Sequence, residues 1–418
     1  MRIDRLEKGR DILFYIALII ECIAVIIDKS RLINPYTTYL FRGTVVLFLI
    51  VLLLTEYTAR EWIIIALAIG LGIASYLYTG RDEITRVAVF VAACKDMPLK
   101  RTFGTAFFTT LAGCLVIVFL ALTGIFGEVS VTQLYRIEDG VSTRVTLGFG
   151  HPNALQCMYY MLLLMTLYFF DRYMRWYFYL VLTALTILVC YLTDSRTGYI
   201  MGIFSILLCV ILHYPPQADT RRDEVARFQQ KSFGMQFLDI GLRSKRWPFA
   251  LGGLIICACV AVSILFAVYS QALGYVERDR IATFLWDLDV PLNGRIQNLF
   301  WTDATRAGSI TTWQLFSNAD ATQFFDLGWV RLFYWYGIIP AAVTVILLLI
   351  LLAECYRRRD GQALMLIVSL SVYTVIEAHL ISIYIGRNFL LLIFGAYWCS
   401  MLRVDGGEGY YLPELVRR

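Results

Sequence analysis

Trp286-Asp287-Leu288-Asp289-Val290-Pro291-Leu292-Asn293-Gly294-Arg295 lies inside a polar interval, residues 271–325, that separates one long apolar run, 248–270, from another, 327–353. Each flanking run is long enough to cross a bilayer, whose core of about 30 Å takes about 20 apolar residues as helix. An intervening segment of roughly 55 residues is too long for a plain connector and reads as a binding loop or lid. The chain is therefore expected to be a membrane scaffold that holds this loop over one face.

Composition agrees. Of the 418 residues 59% are hydrophobic and only 17% charged, with a mean hydropathy of +0.66, whereas soluble domains are roughly half apolar and about a quarter charged. The remaining apolar runs fall at 11–27, 38–55, 62–79, 84–97, 104–126, 152–170, 177–193, 197–213, 362–379 and 382–400. With the two beside the loop they predict an all-α, polytopic membrane protein of about twelve transmembrane helices, residues 1–418 forming one membrane domain. The first run ends in Glu21, Asp28 and Lys29 without a small-residue cleavage site, which reads as a retained helix instead of a signal peptide. Placing the N-terminus inside puts most of the 37 lysines and arginines on the inner side, so both termini are expected in the cytoplasm. The basic residues of the inner loop 214–247, among them Arg221, Arg222, Lys245 and Arg246, then anchor the topology and meet anionic lipid. The net charge of +5 is spread over short loops, unlike the basic face of a nucleic-acid binder. The ten cysteines lie in apolar runs or at their inner ends, without zinc spacing or a disulfide framework.

This topology places four segments outside: 127–150, 193–197, 271–325 and a tight turn at 380–382. They carry most of the candidate chemistry. Thr146-Leu147-Gly148-Phe149-Gly150-His151-Pro152-Asn153 opens the sixth span, with Pro152 suited to a first helical turn and His151 and Asn153 at the boundary beside Arg144. Thr193-Asp194-Ser195-Arg196-Thr197-Gly198 turns between two spans. There Arg196 either snorkels, or pairs with Asp194, or forks onto two phosphate oxygens as lysine cannot. In the loop, Ile296, Leu299, Phe300 and Ala304 form a stripe that reads as a short helix on the membrane surface, starting at Arg295. Asp287-Leu288-Asp289 resembles the paired-aspartate metal site of nucleotide-sugar glycosyltransferases, but two spaced carboxylates are common by chance, and the pair reads as solvated acids. Asp326-Leu327-Gly328-Trp329-Val330-Arg331 enters the tenth span, while Glu377, His379, Arg387 and Asn388 bracket the last hairpin. Ionisable groups at such depth face a cavity or one another, and Arg331 with Glu377 is one candidate pair.

In their order and placement, Gly148 to Asn153, Ser195-Arg196 with Gly198, Gly294-Arg295, Asp326 with Arg331 and Tyr336-Gly337, and Arg387-Asn388-Phe389-Leu390-Leu391 resemble the O-antigen polymerase and ligase family (Wzy/WaaL type), in particular its Gram-positive exopolysaccharide and capsule polymerases. The likeness covers the chain from about residue 140 onward, and the earlier spans share only its hydropathy. It implies a multi-pass plasma-membrane glycosyltransferase that joins oligosaccharide repeat units carried on polyprenyl diphosphate at the extracytoplasmic face, without nucleotide sugar, cofactor or required metal. The implied partners are the lipid-linked oligosaccharide, the growing polysaccharide, membrane lipid, a chain-length regulator and a flippase, with no nucleic acid. The ligase branch places a histidine late in the outer loop. Residues 271–325 have none, which favours a polymerase over the alternative, an O-antigen-type ligase.

The chemistry agrees with the residues. A departing diphosphate gathers negative charge, so fixed cations stabilise the transition state more than the ground state. Arg144, Arg196 and Arg295 are the candidate clamp. Of three histidines His213 is cytoplasmic, which leaves His151 as the candidate general base, with His379 and Asp326 as rivals. Catalysis is thus expected from His151, Arg196, Arg295 and Asp326, and substrate binding from Arg144, Asn153, Arg331, His379, Arg387 and Asn388. Trp286, Trp301, Trp313 and Phe316 either stack on sugar rings or anchor the interface. The rivals from another class are a secondary transporter, which would show repeated halves and paired broken helices, and a lipid-linked sugar flippase, which needs a polar path through the whole membrane.

Overall fold

The computed structural model describes residues 2–32, 36–136, 140–212, 247–270, 280–292, 294–301, 308–358, 360–381 and 384–401. The protein is mostly helical. Before the long loop run α1 (Arg2–Lys29), α2 (Thr37–Leu53), α3 (Ala59–Thr79), α4 (Glu83–Ala93), α5 (Leu99–Leu122), α6 (Pro152–Phe169), α7 (Trp176–Thr193), α8 (Arg196–Leu212) and α9 (Trp247–Tyr269). The loop carries α10 (Arg280–Asp289) and α11 (Asn298–Trp301), and α12 (Gly328–Tyr336), α13 (Ile338–Arg358), α14 (Gly361–Ile376) and α15 (Leu390–Met401) follow. Five of these helices, α3, α5, α7, α9 and α13, are long and apolar enough to cross a membrane, yet little of their surface is buried against protein. Leu67, Leu77, Trp176 and Tyr191 stand exposed on them. So much bare apolar surface is what a bilayer covers, and the protein is membrane-embedded.

α14 is the opposite case. Every side chain from Gln362 to Ser371 is buried, as a helix apolar all round requires. It packs on α8, α9, α13 and α6, while α6 also meets α5, α7 and α8. These two central helices deliver their ends to the site: α6 its N-terminus, α14 its C-terminus.

The structure departs from the sequence reading in four places. An antiparallel hairpin, β1 (Ser130–Arg136) with β2 (Gly140–Val145), interrupts the all-α expectation, pairing Thr132 with Thr143. The expected tenth span breaks at Gly337, whose φ of +97° and ψ of 170° only glycine adopts readily. The loop is laid into that break. Ile338 and Ile339 donate to the carbonyls of Gln314 and Leu315, and a Cβ on Gly337 would lie 2.6 Å from the Leu315 oxygen. The last span begins at Leu390, not 382: among the described residues between the two helices, Glu377–Ile381 and Tyr384–Phe389, the one helical piece is a 3₁₀ turn at Ile385–Arg387. Finally, Ile296 and Leu299, the first two residues of the surface stripe expected after Arg295, are fully buried and face the protein interior. Ala304, Asn293, His213 and the basic residues of the inner loop from 214 to 246 lie outside the described residues.

Candidate functional site

At the end of the bundle where α1, α7 and α14 finish and α6 and α8 begin lies a cavity of about 340 Å³. Its first wall is the segment before α6. Gly150 donates to the Lys29 carbonyl at 2.9 Å and Arg31 to that of Gly148 at 3.2 Å, which ties the end of α1 beside His151 and brings Lys29 into the lining. His151 caps α6 from an extended backbone, its Nδ1 accepting the Asn153 N–H at 3.1 Å. In the neutral ring the proton then resides on Nε2. Burial, and after it Arg144, push the ring below its ordinary pKa against the pull of Asp326, so neutral imidazole is the working form.

The second wall is the α7–α8 turn. Asp194 takes a left-handed conformation and Ser195 accepts the Gly198 N–H at 3.2 Å, capping α8. Gly198 lets Gln156 of α6 approach closely: a Cβ there would sit 2.1 Å from its Nε2 and 2.6 Å from its Cγ, so Gln156 would have to move. Asp194 pairs with Arg144 of β2 at 2.5 Å and not with its neighbour Arg196. Arg196, exposed at the first residue of α8, makes no hydrogen bond or ion pair among the described residues.

The loop supplies the third wall. Asp289 is buried and accepts the N–H groups of Ile296 at 2.7 Å and Gln297 at 2.9 Å, closing a turn in which Gly294 has φ +73°. It is thus a structural acceptor, which corrects its reading as a solvated acid; Asp287 is exposed, as expected. The turn presents Arg295, whose fork is already filled: Nη2 lies 2.6 Å from Glu377 Oε1 and Nε 3.3 Å from Asp326 Oδ2. Burial works against the Arg295 charge, but the two carboxylates outweigh it and raise its pKa. Burial likewise pushes the Glu377 carboxyl up; Arg295 pulls it back, and the Asp326 charge adds to the rise. Arg295, expected as a phosphate ligand, is thus already paired with two carboxylates. The expected Arg331–Glu377 pair does not form.

Of the ten expected site residues, the cavity gathers Arg144, His151, Asn153, Arg196, Arg295 and Arg387. Asp326 reaches it only through Arg295. Arg331 is buried under the rings of Phe324 and Trp335, 4.3 and 3.9 Å from their centres, outside the lining. His379 is fully buried, with Nδ1 3.8 Å from the Cys157 sulfur, and does not partner the Glu377 side chain. Asn388 is spent on the Leu380 carbonyl. Trp313 stacks on Phe333, centroids 4.6 Å apart at 4°, so that face is closed to a sugar.

Sequence reasoning missed Lys29, Gln156, Cys157 and Tyr373. Gln156 and Cys157 lie about one turn beyond Pro152, a spacing that could have marked them. Arg387 donates to Cys157 at 3.0 Å. Five cations thus meet two carboxylates, Asp194 and Glu377, with the N-termini of α6 and α8 opening on the same space. Such an arrangement is chemically suited to a multiply charged anion. Among the described residues no group of three or more His, Cys, Asp or Glu is placed to hold a metal ion. No protein-family model, curated protein or solved structure matches the chain, so its chemistry is read from this geometry.

Proposed function

We propose that the chain is a polysaccharide polymerase of the O-antigen polymerase and ligase type, joining polyprenyl-diphosphate-linked repeat units at the extracytoplasmic face of the plasma membrane. On this reading the apolar helices form about twelve spans with both termini in the cytoplasm, and the cavity end faces outward. One observation carries the proposal: a cavity with an excess of cations at the end of a membrane bundle, with one guanidinium, Arg196, still uncommitted at a helix N-terminus. A diphosphate on a lipid tail arrives at that depth and carries the charge that such a site lacks.

The roles follow from what each group already holds. Arg196, with Arg387, meets the diphosphate oxygens as the bond to the sugar breaks, while Lys29 stays paired with Asp28 at 2.9 Å. Arg144 and Arg295 keep the walls in place through Asp194, Glu377 and Asp326. His151, with Nδ1 engaged by the backbone, offers Nε2–H as a donor instead of serving as the base. No cofactor or metal enters. The growing polysaccharide, membrane lipid, a chain-length regulator and a flippase are the partners that this activity requires.

Arg196→Ala tests the reading. In membranes supplied with lipid-linked repeat units from cells lacking this chain, it should cut polymer formation about 100-fold or more, with protein level unchanged. Arg196→Lys should recover part of the activity, because an ammonium keeps the charge and loses the fork. Undiminished polymer from Arg196→Ala would remove the clamp and the function drawn from it.

A further inference from the structure

The cavity's most committed cation points to the group that handles the acceptor's proton. A glycosyl transfer to a hydroxyl releases one proton, and five side chains are to be considered. His151 is engaged at Nδ1 by the Asn153 amide and protonated at Nε2, so neither ring nitrogen has a lone pair open to the cavity. His379 is wholly buried beside Cys157 and outside the lining. Asp194, paired with Arg144 at 2.5 Å, sits on the α7–α8 turn with its side chain 48% exposed, against 20% for Glu377, and Asp326 is not in the lining. That leaves Glu377.

We propose that Glu377 is the general base of this site, and that Arg295 is the positioning residue that aims it. The inference rests on the glycosyl-transfer reading above. Glu377 caps the end of α14, a helix buried on every side from Gln362 to Ser371, and its N–H donates to the Tyr373 carbonyl at 2.8 Å, so its backbone is held by the core. Its Oε1 accepts from Arg295 Nη2 at 2.6 Å, which fixes the carboxylate plane and leaves Oε2 for another partner. The opposite side of the Arg295 fork is held by Asp326 at 3.3 Å, so the guanidinium keeps a counter-charge when Glu377 takes up a proton.

In the reaction, the acceptor oxygen bonds to the anomeric carbon as its proton passes to Glu377. The bond from that carbon to the diphosphate breaks, and the electron pair leaves on the diphosphate, against Arg196 and Arg387. The proton then passes to water. The charged groups that face Glu377 are Arg295 from the loop, Asp326 ahead of α12 and Arg387 from the 3₁₀ turn; burial and Asp326 favour its protonated form, and the two guanidiniums oppose it.

The test uses purified full-length protein and two readouts: binding of inorganic diphosphate, and polymer made from lipid-linked oligosaccharides that accumulate in cells lacking this chain. Glu377→Gln keeps an oxygen for Arg295 but cannot accept the proton. It should bind diphosphate at least as tightly as the wild type, having lost a negative charge, and should make polymer about 100- to 10,000-fold more slowly, without the acidic limb of the wild-type pH profile. Glu377→Asp should retain that limb at a reduced rate. A Glu377→Gln protein that keeps both rate and acidic limb overturns the base. Loss of diphosphate binding in Glu377→Gln also overturns it, reducing Glu377 to an anchor for Arg295. A wild-type protein that binds diphosphate and makes no polymer overturns the glycosyl-transfer reading itself.

Discussion

His151 shows how one hydrogen bond sets a residue's chemistry. The ring caps α6 only while Nδ1 is unprotonated, and its pKa is held below the ordinary value of 6.5 by burial and by Arg144. The unfolded chain therefore takes up the proton first, so the cap's contribution is whole above about pH 6.5 and declines as pH falls further. An N-cap is worth about 1 kcal/mol. His151→Asn offers a cap that does not titrate. Melting of the two proteins between pH 8 and pH 5 should show an acid loss in the wild type that is smaller in His151→Asn; parallel curves would mean that the ring does not hold the helix start. The histidine and the proline after it were legible as a helix start. Its tautomer was not, because that depends on the position of the Asn153 amide.

At the scale of elements, the break between α12 and α13 separates local pattern from packing. Gly337 carries both a backbone conformation that disfavours any side chain and a neighbour, Leu315, whose carbonyl fills the space that a Cβ would need. Gly124 also has a positive φ, +72°, with nothing within 4 Å of its Cβ position. Gly124→Ala should cost about 1 kcal/mol from the backbone alone, whereas Gly337→Ala should cost about 3 kcal/mol or more and loosen the 314–317 segment from the helix ends. Melting temperatures in detergent decide it: equal losses would mean that the loop does not brace the break. Hydropathy ran through Gly337 without a pause, since residues on both sides are apolar. The β1–β2 hairpin escapes the same sum: its strands lie in the polar segment 127–150, where hydropathy registers no span.

For the whole molecule, the question is which end faces outward. The cavity end and the end bearing Asp171, Gln362 and Asp360 are separated by the length of α6 and α14. A cysteine at Ser195, in the cavity turn, and one at Arg172, exposed at the far end of α6, report on opposite sides. In intact cells a membrane-impermeant maleimide should modify Ser195→Cys, and reach Arg172→Cys only after permeabilisation, with the native protein as control. The reverse pattern would invert the topology and take an outward-facing polymerase with it.

Helix positions in this chain were legible because hydropathy is summed over consecutive residues, and a bilayer reads the same sum. Ten of the twelve expected runs coincide with helices to within a few residues at most ends. Six of the ten expected site residues meet in one cavity because fork-shaped cations and a histidine beside helix starts belong at membrane boundaries. What only the tertiary structure decided is which of those charges are already answered. Arg295 pairs with Glu377, 82 positions away, Arg144 pairs with Asp194 where Arg196 was a candidate, and Trp313 is covered by Phe333. Pairing acts over a few ångströms between groups remote in the chain, so it is settled only when α6, α8, α14 and the loop come together.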